Sequence, residues 1–264
     1  MTRAGLGIGI AVVVLCAVAP ALALTGREVI DGAQRRNGFS TWKDRRAAAT
    51  MQSYTKDELV RTREVEVTEQ TDPRGEHRTF LRFTSPADVQ NTRFLHRSPR
   101  GDRDEQWLWT PSARRTRRMA DSQRDENFFG TDLSYRDLEL LVRIQQWNDS
   151  EATATLIGEE TVDGHPSRQV ELVPDNNEFP YQKYRLWFGK DDDLLWRVDV
   201  YEDDKVVKRV TLGRYEPAGA YQTPMEWQVA NLPASTRTTF RMRDVHYDEG
   251  VSDSVFSVSN LDKG

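Results

Sequence analysis

Cysteine is nearly absent from this sequence: the single cysteine among 264 residues is Cys16, inside an apolar stretch near the N-terminus. Thiol catalysis, disulfides and cysteine-based metal sites are therefore excluded for the chain that follows that stretch. Cys16 is followed by Ala17-Val18-Ala19-Pro20, whereas a lipidated cysteine follows a short box of small residues and opens a polar mature chain. We therefore interpret Cys16 as not lipidated.

Patterns that carry catalysis or hold metals are also missing. The four histidines lie far apart in sequence and form no i, i+4 pair, so no metal site is expected. They are His77, His96, His165 and His246. Ser134 has no glycine-x-serine-x-glycine elbow around it, which argues against a serine hydrolase. The chain is therefore expected to be no enzyme and to need no cofactor.

Asp132 and Asp137 are the one carboxylate pair that a catalytic interpretation would use. A glycosidase pair needs a saccharide cleft, and nothing else in the sequence indicates one. We expect these aspartates to clamp their loop instead, by bonding backbone amides or the arginines at 114–118.

The charge balance argues against a nucleic-acid partner. The chain has 37 Lys and Arg residues against 42 Asp and Glu residues, a formal net charge of −5, and this balance does not suit phosphate backbones. Residues 24–264 exceed a typical domain length, but antiparallel sandwiches and barrels reach about 200–250 residues as one unit. We therefore expect 24–264 to form a single domain.

Residues 1–23 have the pattern of a signal peptide. Arg3 supplies the positive charge before an almost wholly apolar run at 4–19, and Ala21-Leu22-Ala23 is a small-x-small cleavage site. The protein is therefore expected in the periplasm. The alternative is an uncleaved membrane anchor, because the apolar run approaches the roughly 20 residues that span a bilayer.

Period-two alternation dominates the chain after residue 47. Val65 and Val67, for example, alternate with charged and polar residues, as in a strand with one buried face. Turn signals such as Asp72-Pro73-Arg74-Gly75 and Asp163-Gly164 separate the candidate strands. Roughly 8–12 strands joined by tight turns predict a mainly β fold with an antiparallel, curved sheet.

The two ends of the exported chain carry apolar segments outside this pattern. Thr25 followed by Glu28 is a capping box, and the apolar positions after it predict a short amphipathic helix against the sheet. These positions are Val29, Ile30, Ala33, Phe39 and Trp42. Segment 251–261 is too apolar to hang free, and we expect it to tuck back onto the sheet.

The stretch from Gln106 to Leu138 organises the rest of the chain. Trp107 and Trp109 share one face of a predicted strand that ends at Pro111, which has no amide hydrogen to donate. After a basic run, the segment 128–138 carries Phe, Leu and Tyr side chains around Gly130. An irregular loop or short helix cannot leave this much apolar surface in water.

These blocks resemble a known family, the periplasmic outer-membrane lipoprotein-sorting proteins, which are relatives of the LolA and LolB lipoprotein carriers. The resemblance implies an open, strongly curved antiparallel sheet, an incomplete β-barrel, whose concave face is covered by short helices and a lid. It also implies a carrier of a lipid or an acylated protein. The matching blocks are Gly26-Arg27-Glu28-Val29, Phe83-Thr84-Ser85-Pro86-Ala87-Asp88, 104–111, 114–119, 129–138 and Val255-Phe256-Ser257.

A carrier needs an apolar cavity and a way to close it. An acyl chain gains about 0.8 kcal/mol for each methylene removed from water, so a pocket holds it without any catalytic group. The cavity candidates are Leu81, Phe83, Phe94, Trp107, Trp109, Trp187, Trp196 and Trp227. The lid candidates, whose apolar side chains can fill the cavity when cargo is absent, are Phe128, Phe129, Gly130, Leu133 and Tyr135.

The basic run has two interpretations, and the sequence leaves both open. It consists of Arg114, Arg115, Arg117 and Arg118. One interpretation is a solvated outer face with salt links to Asp132, Asp137 or the acidic run at 121–126. The other is a basic rim that meets an anionic lipid headgroup or an acidic partner surface.

Two function classes follow. The first is a monomeric periplasmic carrier that moves a lipid or lipoprotein acyl chain between envelope membranes, with transient membrane contact and an inner-membrane exporter as partner. The alternative is a non-catalytic envelope interaction module that docks a protein partner such as that exporter. Lipid bound to the protein in its own periplasm would favour the carrier.

We predict that the exported chain begins at Leu24, because Ala21-Leu22-Ala23 is the cleavage site. N-terminal sequencing of protein from the periplasmic fraction should read Leu24-Thr25-Gly26. Recovery of residues 1–23 still attached, in the membrane fraction, would contradict this prediction.

Overall fold

The structure is a computed structural model that describes residues 24–36, 41–99, 103–139, 151–175 and 179–263. The predicted signal peptide at 1–23, with Cys16, lies outside the described residues, and so does Phe39. Among the residues described, no helix has the length and apolar character needed to cross a membrane.

The first element is helix α1, Gly26–Arg36. Its predicted capping box is confirmed: the Glu28 amide donates to the Thr25 hydroxyl at 3.2 Å, and the Thr25 amide donates to the Glu28 carboxylate at 2.8 Å. Gly26 is required by close approach, since a Cβ there would lie 2.8 Å from the backbone of Ala154. Trp42 is buried but lies beyond the end of the helix, which corrects the predicted helical extension.

The described residues after α1 form thirteen strands, slightly more than the sequence pattern predicts. The first six are β1 Asp44–Thr55, β2 Glu58–Thr71, β3 His77–Ser85, β4 Arg93–Ser98, β5 Glu105–Thr110 and β6 Arg115–Arg118. The other seven are β7 Ala152–Val162, β8 His165–Pro174, β9 Lys183–Gly189, β10 Leu195–Glu202, β11 Lys205–Ala218, β12 Tyr221–Asn231 and β13 Thr236–Tyr247.

All thirteen strands belong to one antiparallel sheet that does not close. The order is β6-β5-β4-β3-β2-β1-β13-β12-β11-β10-β9-β8-β7. Strands that are neighbours in sequence therefore pair, except for β6 and β7, and β1 also pairs with β13. The edge strands β6 and β7 are left unjoined. Side chains from β1–β4 and from β10–β13 nevertheless line one cavity, which requires the sheet to curve. The predicted open, curved antiparallel sheet is confirmed.

The pleat gives the sheet two apolar faces. Phe94 lies opposite Leu108, and Leu95 lies opposite Trp107; since residues directly opposite each other point to the same side, these two pairs lie on different faces. The concave face carries the two larger clusters of buried side chains, one of them beneath α1. The outer face carries two smaller clusters.

The C-terminal segment covers one of the outer clusters, as the sequence predicts. A 3-10 turn at Asp253–Phe256 and helix α2, Val258–Lys263, pack over β3–β6. Phe256 and Leu261 are fully buried there, and an Arg93 nitrogen donates to the Leu261 carbonyl at 2.5 Å.

The chain between β6 and β7 turns back over the concave face. Two 3-10 turns, Asp121–Gln123 and Phe128–Gly130, lead into helical residues at 135–139. We call residues 128–138 the cover. This segment and the concave face of the sheet define the candidate site.

Candidate functional site

A cavity of about 270 Å³ lies between the concave face and the cover. Its wall is mostly aliphatic and aromatic, with residues from both halves of the sheet. The apolar lining includes Ala49, Met51, Val65, Val67, Leu81, Phe94, Leu195, Val198, Val200, Val210, Leu212, Trp227, Phe240 and Met242 from the strands, with Phe128, Leu133 and Leu138 from the cover.

One end of the cavity is polar, because a single row of cross-strand partners carries the polar side chains. Arg45 lies opposite Glu69, Glu69 opposite Thr79, and Thr79 opposite His96. Arg45 Nε donates to the Glu69 carboxylate at 2.6 Å. The next row inward, Ala47, Val67, Leu81 and Phe94, is apolar. The cavity is therefore amphipathic along the strands.

The charges of Arg45 and Glu69 stabilise each other. Burial alone would raise the pKa of Glu69, but attraction to Arg45 and the hydrogen bond from Arg45 outweigh burial and lower the pKa to about 2. Burial would likewise lower the pKa of Arg45, and the Glu69 carboxylate raises it instead. Both groups are therefore charged at neutral pH.

The cover closes the opposite end with aromatic side chains. Phe128 is 2% exposed, and its ring lies 5.4 Å from Phe94 and 5.3 Å from Tyr135. Phe129 is half-buried and lies 4.4 Å from Phe83. Burial raises the pKa of the Tyr135 phenol to about 12. Four of the five predicted lid residues thus contribute to one apolar cluster, and Leu133 is one of them.

The turn inside the cover is conformationally unusual. Phe129 has φ +48° and Gly130 has φ +70°. A bulky residue in the left-handed region costs on the order of 1–3 kcal/mol and persists only where its surroundings hold it. Gly130 is favoured by its positive φ, and a Cβ there would also lie 2.2 Å from Arg61 Nη1, so the Arg61 side chain would have to move.

Asp132 and Asp137 tie the cover to the sheet, and neither bonds the arginines at 114–118. The Thr236 and Thr238 hydroxyls of β13 donate to the Asp132 carboxylate. Asp137 accepts from the Ser134 amide at 2.6 Å, from the Tyr181 hydroxyl at 2.8 Å and from Lys208 at 2.5 Å. The predicted bond to a backbone amide is confirmed for Asp137, whereas threonine hydroxyls hold Asp132, and the predicted arginine partners are wrong for both.

Further side chains fix the cover from β1 and β5. Gln106 donates to the Tyr135 carbonyl at 2.9 Å, and the Ser53 hydroxyl donates to the Gly130 carbonyl at 3.2 Å. These polar groups lie in largely buried surroundings, where a bond that is lost leaves an unsatisfied group. The cover is therefore held by defined contacts from several strands.

The structure sorts the predicted cavity residues into three groups. Leu81, Phe94 and Trp227 line the cavity, and Trp227 stacks on Phe240 with ring centroids 3.7 Å apart. Phe83 is fully buried beneath the cover. The other four predicted cavity residues are tryptophans that belong to clusters outside the cavity: Trp107, Trp109, Trp187 and Trp196.

The placement of those four tryptophans was wrong for a physical reason. Trp107 lies opposite Arg118 and Leu95, on the outer face that the C-terminal segment covers. Trp187 lies opposite Arg197, whose guanidinium stacks over its ring at 4.3 Å. Trp196 stacks on His165 at 3.5 Å. Because both faces of this sheet bury apolar side chains, alternation alone does not identify the concave one.

The basic run lies at the edge strand β6, and its arginines are exposed. Arg118 pairs with Glu105 at 2.8 Å, and Arg117 donates to Gln123 at 2.8 Å. In the described part of the chain these arginines do not bond Asp132 or Asp137, so those predicted links were wrong. The described residues also contain no group of His, Cys, Asp and Glu side chains that could hold a metal ion.

Sequence reasoning missed several residues of the site, including Arg45, Glu69, Met51, Val198 and Val200. A signal existed for Glu69, which shares the period-two face of Val65 and Val67. No local pattern indicates that β10 and β11 reach the same cavity as β2, because this depends on the curvature of the whole sheet.

An open antiparallel sheet with a covered concave cavity is the LolA-like fold. The chain aligns with a LolA superfamily protein from Nitrosomonas europaea at a TM-score of 0.67 and 14% identity, over 89% of this chain and 98% of that one. A domain from Vibrio parahaemolyticus named for outer membrane lipoprotein sorting aligns at 0.78 and 21%, over 89% and 97%. The resemblance stated from the sequence is confirmed.

The family is shown by sequence as well as by structure. A family model described as an uncharacterized protein matches residues 75–263, well over half of the chain. A DUF1329 family protein from Desulfovibrio piger aligns at a TM-score of 0.80 and 27% identity, over 89% of this chain and 98% of that one. The chain belongs to the DUF1329 family. Comparison with curated proteins gives no match.

The Glu69 pKa leads to a prediction for Glu69→Gln. A folded pKa of about 2, below the ordinary 4.5, means that ionised Glu69 contributes stability above pH 4.5 that is lost as the pH falls toward 2. The variant should lose about 3 kcal/mol at pH 7, as when a buried pair loses one partner. Its stability should also fall less than that of the wild type between pH 4.5 and 2.

Urea unfolding at pH 7, 4 and 3 measures both effects. The control is Glu66→Gln, because Glu66 is an exposed carboxylate of the same strand, paired with Arg82. An acid dependence that is identical in the wild type and Glu69→Gln would contradict the assignment.

Proposed function

We propose that this protein is a periplasmic carrier that holds a lipid, or the acyl chain of a lipoprotein, in the cavity and moves it between envelope membranes. The observation that carries the proposal is the largely apolar cavity beneath the cover, whose lining comes from both halves of the sheet and from the cover. A core that served stability alone would be packed without such a space.

Burial energy makes such a cavity sufficient for binding. Each methylene transferred from water into the cavity contributes about 0.8 kcal/mol, so part of one acyl chain already binds without a reacting group. The polar row at Arg45, Glu69 and Thr79 leaves one end of the cavity able to meet polar parts of a cargo.

The cover acts as a lid in this proposal. Phe128, Leu133 and Leu138 point into the cavity, so moving the cover would both open the cavity and enlarge it. The left-handed backbone conformation of Phe129 supports the proposal that the cover adopts two arrangements, since strained backbone recurs at switch regions. In the empty state the phenylalanines prevent an exposed apolar patch.

The site of action follows from export. With residues 1–23 removed, 24–264 would act as one monomeric domain in the periplasm. Leu59, Val60 and Leu232 are exposed on two hairpins that the Thr55–Thr236 pair holds side by side. They offer apolar contact for transient encounters with a membrane or an exporter.

Trp227 gives a direct test of cavity binding. A brominated fatty acid should quench tryptophan emission, because Trp227 and Trp42 line the cavity, and Trp227→Phe should remove the part that Trp227 contributes, with binding retained. The matched control is Trp109→Phe on the outer face, which should keep the quenching. Equal quenching in both variants would place the probe elsewhere, and absence of binding would favour the interaction module.

The lid is tested by truncating its plug. In Phe128→Ala with Phe129→Ala, the empty protein should lose roughly 1.5–3 kcal/mol per side chain, while the loaded protein loses less and cargo affinity rises or stays level. Thermal melts with and without bound lipid, on the wild type and the variant, measure this. Equal losses in both states would show that the phenylalanines are permanent core.

A further inference from the structure

Arg63 is a buried cation that forms no ion pair with a carboxylate among the described residues. The side chain lies on β2, and the residue is 8% exposed. Its Nε and Nη1 atoms are buried and have no hydrogen-bond partner among the described residues. A buried charge without a partner is costly, and arginine cannot escape the cost by deprotonation. Two of the three guanidinium nitrogens of Arg63 are therefore left unsatisfied inside the fold.

The surroundings of Arg63 do not neutralise it. Burial lowers the pKa of Arg63, as does repulsion from Arg61, and attraction to the exposed Asp88 and to Tyr135 does not offset them. The ring of Phe129 lies 5.9 Å from the guanidinium carbon, a cation–π contact that compensates in part. Arg45, at the other end of the cavity, has its carboxylate partner at 2.6 Å.

The position of Arg63 relates it to the cavity and to the cover. Along β2 the concave-facing residues are Arg61, Arg63, Val65, Val67 and Glu69, and the last three line the cavity. Arg63 lies opposite Met51, which also lines it. The two arginines therefore continue the cavity wall at the end away from the Arg45–Glu69 pair.

Gly130 of the cover lies directly over both guanidinium groups. A Cβ on Gly130 would lie 2.2 Å from Arg61 Nη1 and 3.7 Å from Arg63 Nη1. Movement of the turn at Phe128–Gly130 would therefore expose Arg63 beside Arg61 where the apolar wall ends. Arg61 is already exposed, so an anion can reach the pair from solvent.

We propose that Arg61 and Arg63 bind the anionic headgroup, a carboxylate or a phosphate, of the amphiphile whose acyl chain occupies the cavity. Guanidinium groups match both anions in bidentate geometry, and the unbonded nitrogens of Arg63 supply donors that the empty protein does not use. This assignment rests on the proposed carrier function and adds the class of cargo to it.

The test compares three ligands of the same chain length: dodecanoate, dodecyl phosphate and dodecanol. Wild-type protein should prefer the two anions to the alcohol by about ten- to hundredfold, the size expected for hydrogen bonds to a charged group. Arg63→Met should reduce the preference, taken as the ratio of affinities within the same variant, to within about threefold, because Met retains the apolar stem but not the charge. Arg61→Gln, at an exposed position, should reduce the preference in part.

Two controls separate the possible causes. Arg82→Met removes an arginine of β3 that Glu66 pairs at 2.6 Å, and it should keep the full preference. Equimolar inorganic phosphate should not displace dodecyl phosphate; displacement would mean a site for a free anion and would overturn the headgroup assignment. Thermal melts establish that each variant is folded, and Arg63→Lys, which keeps the charge, should retain a preference if Arg63→Met does not fold.

The outcomes distinguish the two proposals. Equal affinity for the three ligands in the wild type would overturn the anion site and leave the carrier function intact. Failure of all three to bind would overturn the carrier function itself. An anion preference that survives in both Arg63→Met and Arg61→Gln would place the headgroup elsewhere and overturn the assignment.

Discussion

Burial of an apolar concave face is the constraint on which the rest of this structure depends. An open sheet of thirteen strands satisfies its internal hydrogen bonds but cannot cover its own inner surface. The chain supplies α1 at one half of that surface and the cover at the other. Because the cover brings Phe128, Leu133 and Leu138, it closes the surface without filling it, and a cavity remains.

Polar contacts then decide where the cover can lie. Asp132 meets two threonines of β13, and Asp137 meets Lys208 and Tyr181, so the cover is fastened to the second half of the sheet. These bonds set the cost of opening, since separating buried partners leaves unsatisfied groups. A cargo that displaces the phenylalanines must offset that cost through its own burial, so binding and opening are linked.

Much of the fold was predictable because its signals are local. Alternation of Val65 and Val67 with charged residues, the Asp163-Gly164 turn and the Thr25–Glu28 box each specify structure within a few residues. The sheet face on which a tryptophan lies is not set locally. Trp107 is half-buried, but beneath α2 and the turn before it, which are far away in sequence, and not in the predicted cavity. The unpartnered state of Arg63 also depends on every element packed around it, which no single stretch reveals.

Native mass spectrometry tests most directly whether the cavity holds an acyl chain in the cell. Protein purified without detergent from the periplasm of its own organism should carry one lipid or acylated peptide per chain, released when the protein is denatured. We predict this additional mass, with an anionic group on the released molecule. Protein that shows only the mass of the polypeptide, and that takes up no added acyl lipid, would contradict it.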